Sequence, residues 1–199
     1  MDKLIFATGN MDKLVEIAQI LDGIEVLSMK QVGVDLDIEE NGTTFEENSL
    51  IKARALWNEI GGIVLADDSG LEVDALNKEP GIYSSRYLGK DTSYHEKNAN
   101  IISRLEGLDE SERTARFVCA VAAVFPDGSE LVVRGTMEGY IGYEEQGENG
   151  FGYDPIFILP KYGVSTSVIP PEVKNEESHR GKALRIMREE LVKRGYISE

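Results

Sequence analysis

The chain alternates short apolar runs with stretches in which apolar residues recur every three or four positions. The apolar runs have the length of buried strands and lie at residues 3–7, 63–66, 116–125, 131–133 and 156–159. Leu14, Ile17, Ala18 and Leu21 show the other pattern, because their spacing places them on one face of a helix. Strands that alternate with helices, together with a long hairpin, predict an α/β fold with a mixed sheet and flanking helices.

Polar residues mark where the predicted helices begin. Thr43 and Glu46 fit a capping box, in which the hydroxyl and the carboxylate each bond a free backbone N–H of the first turn. Ser93 and Glu96 repeat this spacing ahead of another apolar stripe. There is no internal repeat, low-complexity tract or linker, so residues 1–199 are predicted to form a single domain.

The charge of the chain excludes several classes of partner. It has 36 acidic and 21 basic residues and a net charge of −15. Such acidity argues against binding to nucleic-acid polymers or to an anionic membrane surface. No apolar run approaches the ~18 residues of a membrane span, and the N-terminus is too short and too acidic for a signal peptide. A single cysteine, Cys119, excludes an internal disulfide framework. We therefore predict a cytoplasmic protein.

The first candidate site is the junction Thr8-Gly9-Asn10-Met11-Asp12-Lys13, between a predicted strand and a predicted helix. The first turn of a helix offers free backbone N–H groups and the positive end of its dipole, and both suit phosphate. Gly9 allows a ligand to approach the backbone closely, and Lys13 adds a positive charge. An ordinary turn in which Asn10 or Asp12 caps the helix accounts for the same residues.

The second candidate site is an acid pair, Asp67 and Asp68, which is followed by Ser69. It comes directly after the apolar run at 63–66, so we expect a loop at the end of that strand. Mg²⁺ commonly uses one or two carboxylates together with phosphate oxygens. One aspartate is expected to bind the metal and the other to activate water, and the alternative is a solvated turn. The acidic run at residues 35–42, followed by Glu46 and Glu47, offers further carboxylates for this metal site without showing which one contributes. A solvated edge strand followed by a capped helix accounts for most of the same charges.

A glycine-rich segment at residues 147–155 contains Phe151 and Tyr153. Glycines permit a tight backbone, and the aromatic rings can stack on a planar base. The alternative is a hairpin loop whose aromatic rings cover the core.

The last candidate segment, residues 174–182, begins a stretch of net positive charge that runs to Arg194. It combines a predicted helix N-terminus, preceded by Ser178, with Lys174, His179 and Arg180. These donors suit an anion or a carbonyl group.

Six segments in order resemble the inosine triphosphate pyrophosphatase family. They cover nearly the whole chain, and although each is weak alone, six in the same order are specific. The segments are Phe6-Ala7-Thr8-Gly9-Asn10 with Lys13, Gly42-Thr43-Thr44-Phe45-Glu46-Glu47-Asn48 with Lys52-Ala53, Leu65-Ala66-Asp67-Asp68-Ser69-Gly70-Leu71, Pro80-Gly81-Ile82-Tyr83-Ser84-Ser85-Arg86-Tyr87, Phe151-Gly152-Tyr153-Asp154-Pro155 and Ser178-His179-Arg180-Gly181-Lys182-Ala183.

The resemblance implies Mg²⁺-dependent hydrolysis of ITP, dITP and XTP to the monophosphate and pyrophosphate. It also implies a homodimer whose subunits have an elongated mixed sheet and two lobes around a central cleft. By motif matching, Asp68 takes the general-base position, and Glu39 with Asp68 takes the metal position. The nucleotide-contact positions fall on Thr8, Gly9, Asn10, Met11, Asp12, Lys13, Ser69, Phe151, Gly152, Tyr153, Asp154, Lys174, His179 and Arg180. Donors from Arg180 or the nearby backbone are expected to bond the 6-oxo group of hypoxanthine or xanthine and to leave the 6-amino group of adenine unpaired.

The sequence departs from the family pattern at two positions. Glu148 stands in a loop that often reads Gly-Thr-Gly-Gly, and Glu177 stands where an apolar residue is common. Three alternatives remain: a pyrophosphatase for modified pyrimidine nucleotides, a nucleotide-binding sensor without chemistry, and an interaction module with an acidic surface. The acid pair favours an enzyme over a sensor, and the co-occurring motifs argue against an interaction module.

Overall fold

The computed structural model of the protein describes residues 2–198 and contains a mixed sheet flanked by helices. The strands are β1 (Lys3–Phe6), β2 (Glu25–Ser28), β3 (Val64–Val73), β4 (Thr114–Val124), β5 (Glu130–Ile141), β6 (Phe157–Leu159) and β7 (Val164–Ser165). The helices are α1 (Met11–Ile20), α2 (Phe45–Ile60), α3 (Tyr94–Arg104), α4 (Pro171–Glu177) and α5 (His179–Lys193). The strand order is β2-β1-β3-β4-β5-β6-β7, with β1 parallel to β2 and β3, and β6 antiparallel to β5 and β7. The predicted α/β class is confirmed.

The chain divides into two compact units. The first comprises residues 2–68, 119–135 and 179–198, and the second comprises residues 69–118 and 136–178. Among the described residues, no helix is long and apolar enough to cross a membrane.

In the first unit, helices pack on both faces of the sheet. On one face, α1 and α5 cover a core that includes Leu65 and Cys119. Burial raises the pKa of the Cys119 thiol to about 12. On the other face, α2 covers a core that includes Val64 and Ala66. Successive residues of a strand point to opposite faces, so β3 contributes alternately to the two cores.

The second unit has a core of its own, to which β3, α3, β5 and β6 contribute. Arg113 is buried next to this core. Its three nitrogens each donate, at 2.7 Å, to the carbonyl oxygens of Leu105, Ile141 and Gly142. The fixed fork of donors on arginine can satisfy three carbonyl groups together, which lysine cannot do.

The cap of α3 is as predicted, whereas that of α2 lies one residue later than expected. Ser93 and Glu96 form the full capping box. For α2 the capping residue is Thr44 rather than Thr43, and its hydroxyl accepts from the N–H of Glu47 at 3.1 Å. The shift follows from Phe45, which is buried and so belongs to the first turn.

Several strands are longer than their apolar runs, and some elements carry no clear pattern. β3 continues through Asp67-Asp68-Ser69-Gly70, and β5 extends well past the apolar run at 131–133. The short elements β2, β7 and α4 were not expected from hydrophobic periodicity, because they span too few residues to show one.

Candidate active site

The acid pair lies within a strand, so its expected place in a loop is wrong. Asp67 and Asp68 are consecutive residues of β3 and therefore face opposite sides of the sheet. Asp67 follows Leu65 on the face covered by α1 and α5, and Asp68 follows Ala66 on the face covered by α2. The two carboxylates consequently meet different sets of side chains.

Asp67 is a buried, permanently charged carboxylate. It is 1% exposed, and its Oδ2 lies 3.1 Å from Lys13 Nζ and 3.5 Å from Arg180 Nη2. Burial alone would raise the pKa of Asp67, but the charges of Lys13, Arg180 and Lys52 outweigh it and hold that pKa below its ordinary value. Asp67 thus serves as a fixed counter-ion and does not exchange protons at neutral pH.

Arg180, in the first turn of α5, is 2% exposed and is enclosed by acids. Its guanidinium group also pairs with the carboxylate of Glu16 on α1. Burial would lower the pKa of Arg180, and Asp67 and Glu16 raise it above its ordinary value instead. His179 beside it is buried, and a Cβ on Gly135 of β5 would lie only 2.2 Å from the His179 carbonyl oxygen. The start of α5 is therefore held tightly against β5.

At Asp68, burial outweighs the nearby positive charges. Asp68 is 7% exposed, and its Oδ1 lies 3.6 Å from the Nζ of Lys52, which reaches Glu40 Oε2 at 2.9 Å. Burial raises the pKa of Asp68 to about 6, with Glu40 and Asp67 adding to the effect and Lys52 and Lys13 opposing it. An acid with such a pKa can accept a proton near neutral pH, which is what a general base requires.

The acidic segment reaches Asp68 through Glu40. Residues 34–42 form neither helix nor strand, yet they alternate in exposure as an extended chain does. Val34, Leu36 and Ile38 pack against the core that α2 covers, and Glu40 stands at the next alternate position. These four residues form the inward series of the segment. Glu39 lies on the outward series and is exposed. No group of three His, Cys, Asp or Glu within residues 2–198 is arranged to hold a metal ion, and Asp68 and Glu40 both face the ammonium group of Lys52.

The junction from Thr8 to Lys13 forms a capped helix start. The Oδ1 of Asn10 accepts from the N–H groups of Asp12 and Lys13 at 3.0 and 3.2 Å, and Thr8 Oγ1 accepts from the Asn10 N–H. The side chains of Met11 and Asp12 are exposed, and the nearest atom to a Cβ built on Gly9 would be 4.0 Å away. The turn that was the alternative interpretation is present, and it places the Lys13 ammonium group on Asp67.

In the second unit, Asp154 organises the predicted nucleotide loop. The carboxylate is buried, and it accepts from the Phe151 N–H at 3.0 Å, Lys174 Nζ at 2.7 Å and Thr166 Oγ1 at 2.9 Å. Lys174, on α4, also lies 5.6 Å from the centroid of the Phe151 ring. Gly152, at φ 68°, shapes the same loop.

Tyr153 does not present its ring for stacking on a base in this structure. It is buried, donates to the Ser84 carbonyl oxygen at 2.6 Å and packs edge-on against Tyr94. Ser69, the residue after Asp68 in β3, is half-buried. The two glutamates that depart from the family pattern are tolerated where they lie. Glu148 is exposed, and Glu177 forms an ion pair with Lys161.

Three residues that sequence reasoning left out of the site are Glu16, Glu40 and Lys52. Lys52 lies within one of the family-like segments, one helical turn after Asn48, and that spacing was an available signal. For Glu40 the signal was the alternation of Val34, Leu36 and Ile38. Glu16 carries no such signal, because no pattern among its neighbours in the sequence indicates that it pairs with Arg180.

Comparison with known proteins gives one consistent result. A model of the Ham1 family matches residues 4–190. The dITP/XTP pyrophosphatase of Nitratidesulfovibrio vulgaris is 47% identical over 193 residues, 92% of each chain, and that of an Exiguobacterium species is 47% identical over 192 residues, 96% of this chain and 97% of the relative. The Staphylococcus aureus Ham1 protein structure is 37% identical, with a TM-score of 0.87, covering 97% of this chain and all of the other.

Proposed function

The chain belongs to the Ham1 family, and we propose that it hydrolyses the non-standard purine nucleoside triphosphates ITP, dITP and XTP to the monophosphate and pyrophosphate. The observation that carries the chemistry is the split environment of the acid pair. Asp67 is held charged by cations, whereas at Asp68 burial outweighs the nearby lysines, so that this carboxylate retains affinity for a proton. Environment thus assigns different roles to two identical side chains.

Asp68 acts as the general base in this proposal. It takes a proton from a water molecule whose oxygen attacks the α-phosphorus in line, and pyrophosphate leaves with the electron pair of the broken P–O bond. Lys13 at the start of α1 and Lys174 on α4 are proposed to stabilise phosphate charge. Both are buried or nearly so, and both are held in place by a carboxylate.

The residues around Asp68 fit a divalent cation. Asp68 and Glu40 both pair with the ammonium group of Lys52, so two carboxylates are already close enough to bind one cation together. We propose Asp68 with one glutamate of the acidic segment as the Mg²⁺ ligands. Glu39 is the family-motif assignment, and the inward direction of Glu40 favours that neighbour. When bound, Mg²⁺ would neutralise phosphate charge and polarise the scissile bond.

The remaining predicted contacts are proposed to bind the nucleotide. The segment from Thr8 to Lys13 is proposed to bind phosphate through the positive end of the α1 dipole and the charge of Lys13, and Ser69, His179 and the loop from Phe151 to Asp154 follow from the family motif. Arg180 is proposed to donate to the 6-oxo group, directly or through the backbone it fixes. Arg180→Lys disturbs the protein less than Arg180→Ala, because lysine keeps the positive charge that pairs with Glu16 and Asp67. An unchanged ratio of ITP to ATP turnover would show that the base is recognised elsewhere.

The direct test supplies ITP, XTP, dTTP and ATP with and without Mg²⁺ and measures pyrophosphate and orthophosphate. Pyrophosphate from ITP and XTP, only with the metal, is expected. Orthophosphate release would indicate a phosphatase, and preference for dTTP would indicate a pyrimidine enzyme. Asp68→Asn should abolish turnover while nucleotide binding remains measurable, and Asp37→Asn, on an exposed carboxylate, is the matched control.

The two glutamates can be separated by the same chemical change. Glu40→Gln should reduce direct Mn²⁺ binding and turnover together. Glu39→Gln should leave both near normal, because Glu39 faces outward. The opposite result would restore Glu39 to the metal site. We also propose a cytoplasmic homodimer, and light scattering of the purified protein tests the dimer.

A further inference from the structure

The acidic segment, residues 34–42, is anchored to α2 through the backbone of Gly42, two residues after Glu40. The N–H of Gly42 donates to Asn48 Oδ1 at 2.8 Å. A Cβ on Gly42 would lie 2.7 Å from that same oxygen and 2.8 Å from Glu47 Cβ, so the backbone approaches α2 as closely as only glycine permits. This contact fixes where the segment ends along the helix.

Asn48 and Lys52 hold the segment from one face of α2. They are four residues apart and therefore project from the same side of the helix. Asn48 holds the backbone at Gly42, and Lys52 holds the carboxylate of Glu40 at 2.9 Å. Residues 34–42 are not part of a helix or strand. These two contacts therefore fix the position of the segment, as the hydrogen bonds between neighbouring strands would do in a sheet.

The position of this anchor decides which glutamate faces Asp68. In an extended chain, a shift of one residue moves every side chain to the opposite side. Glu40 now lies on the inward series with Ile38, and Glu39 lies outward with Asp37. A one-residue shift would interchange the two neighbours and would also expose the apolar residues of the segment.

We infer that Asn48 is a positioning residue that fixes the register of the acidic segment and thereby selects Glu40 as the carboxylate presented to Asp68. Asn48 is 0% exposed, and its Nδ2 is a buried donor with no hydrogen-bond partner among the described residues. Such a group costs stability, so the side chain is poorly explained as a stabilising element. The metal-related part of this inference rests on the proposed function, whereas the register does not.

Thiol accessibility measures the register without substrate or metal. The native Cys119 is fully buried, so the thiol introduced by Asp37→Cys or Ile38→Cys dominates alkylation by iodoacetamide. The thiol at position 37 should react about tenfold faster than that at position 38, and Asn48→Ala should bring the ratio toward one. Asn48→Asp keeps the acceptor for the Gly42 N–H and should retain the ratio. Asn58→Ala makes the same deletion at an exposed site on α2 and should also retain it.

Mn²⁺ affinity, measured by electron paramagnetic resonance, gives the second reading. Asn48→Ala should weaken binding about tenfold, the lower end of the range for residues that orient metal ligands, and Asn58→Ala should not. An unchanged ratio of alkylation rates in folded Asn48→Ala would overturn the inference even if turnover is normal. If Asn48→Ala does not fold, Gly42→Ala, which blocks the approach while keeping Asn48, must lower the ratio. Absence of pyrophosphate production by the unaltered protein would instead contradict the proposed function and leave the register test standing.

Discussion

The charge on Asp68 opposes folding, so its removal is expected to stabilise the protein while it destroys activity. Burial is the main cause of the raised pKa, which moves from 3.8 to about 6. At about 1.4 kcal/mol for each tenfold change in proton affinity, this rise means that ionised Asp68 costs the folded state about 3 kcal/mol. Asparagine has the shape of the protonated acid without its charge. Asp68→Asn should therefore raise the free energy of unfolding by up to about 3 kcal/mol at neutral pH.

The gain depends on pH in one direction. The pKa of Asp68 is higher in the folded state, so between 3.8 and about 6 the folded state binds a proton that the unfolded chain has released. The unaltered protein consequently loses this part of its stability as the pH rises through that window, and loses no more above it. Below the window both states are protonated. The advantage of Asp68→Asn should be complete above about pH 6 and should vanish near pH 3.8.

Urea unfolding, followed by circular dichroism in the presence of EDTA, measures the effect with no metal to mask the charge. The comparison is made at neutral pH and again near pH 4. Asp37→Asn is the control, because it removes an exposed carboxylate from the same unit and should change stability little. Equal or lower stability of Asp68→Asn at neutral pH, or a gain of the same size at both pH values, would refute the reasoning.

Three further substitutions test the buried contacts of each unit by urea unfolding. Asp67→Asn should lower the free energy of unfolding by about 3–5 kcal/mol, because it removes the carboxylate that faces both Lys13 and the buried Arg180 and leaves Arg180 paired with Glu16 alone, and a stabilising effect would contradict the assignment of Asp67 as a fixed counter-ion. Gly135→Ala should cost about 3 kcal/mol by driving a methyl group into the His179 carbonyl, with Gly9→Ala, whose added Cβ would come no closer than 4.0 Å to another atom and whose φ is not positive, as the control for loss of a glycine. Arg113→Lys should cost about 3 kcal/mol, because one ammonium group cannot reach all three carbonyls, and near-normal stability would show that water satisfies them.

The parts of the fold that could be predicted are those encoded by neighbouring residues. The capping box of Ser93 and Glu96 is local, and it forms as expected. The cap of α2 was placed one residue early because Thr43 and Thr44 each have a glutamate three positions ahead, and only the burial of Phe45 decides between them.

The site was harder to predict because its geometry depends on residues far apart in sequence. Acids seldom continue a buried strand, so the end of β3 was placed before Asp67. The positive charges of Lys13, Lys52 and Arg180 stabilise the two acids within the strand, and these residues come from three different helices. The motifs therefore pointed to these residues, but they could not show that the two acids face opposite sides of the sheet.

The fully buried Cys119 has a practical consequence for a protein with one cysteine. Oxidants and alkylating agents attack the exposed thiolate, and burial denies this sulfur both exposure and ionisation. Neither disulfide-linked aggregates nor sulfenic acid should accumulate, so the protein tolerates storage without reductant. A thiol placed anywhere on the surface becomes a single attachment point for a dye, a spin label or a solid support.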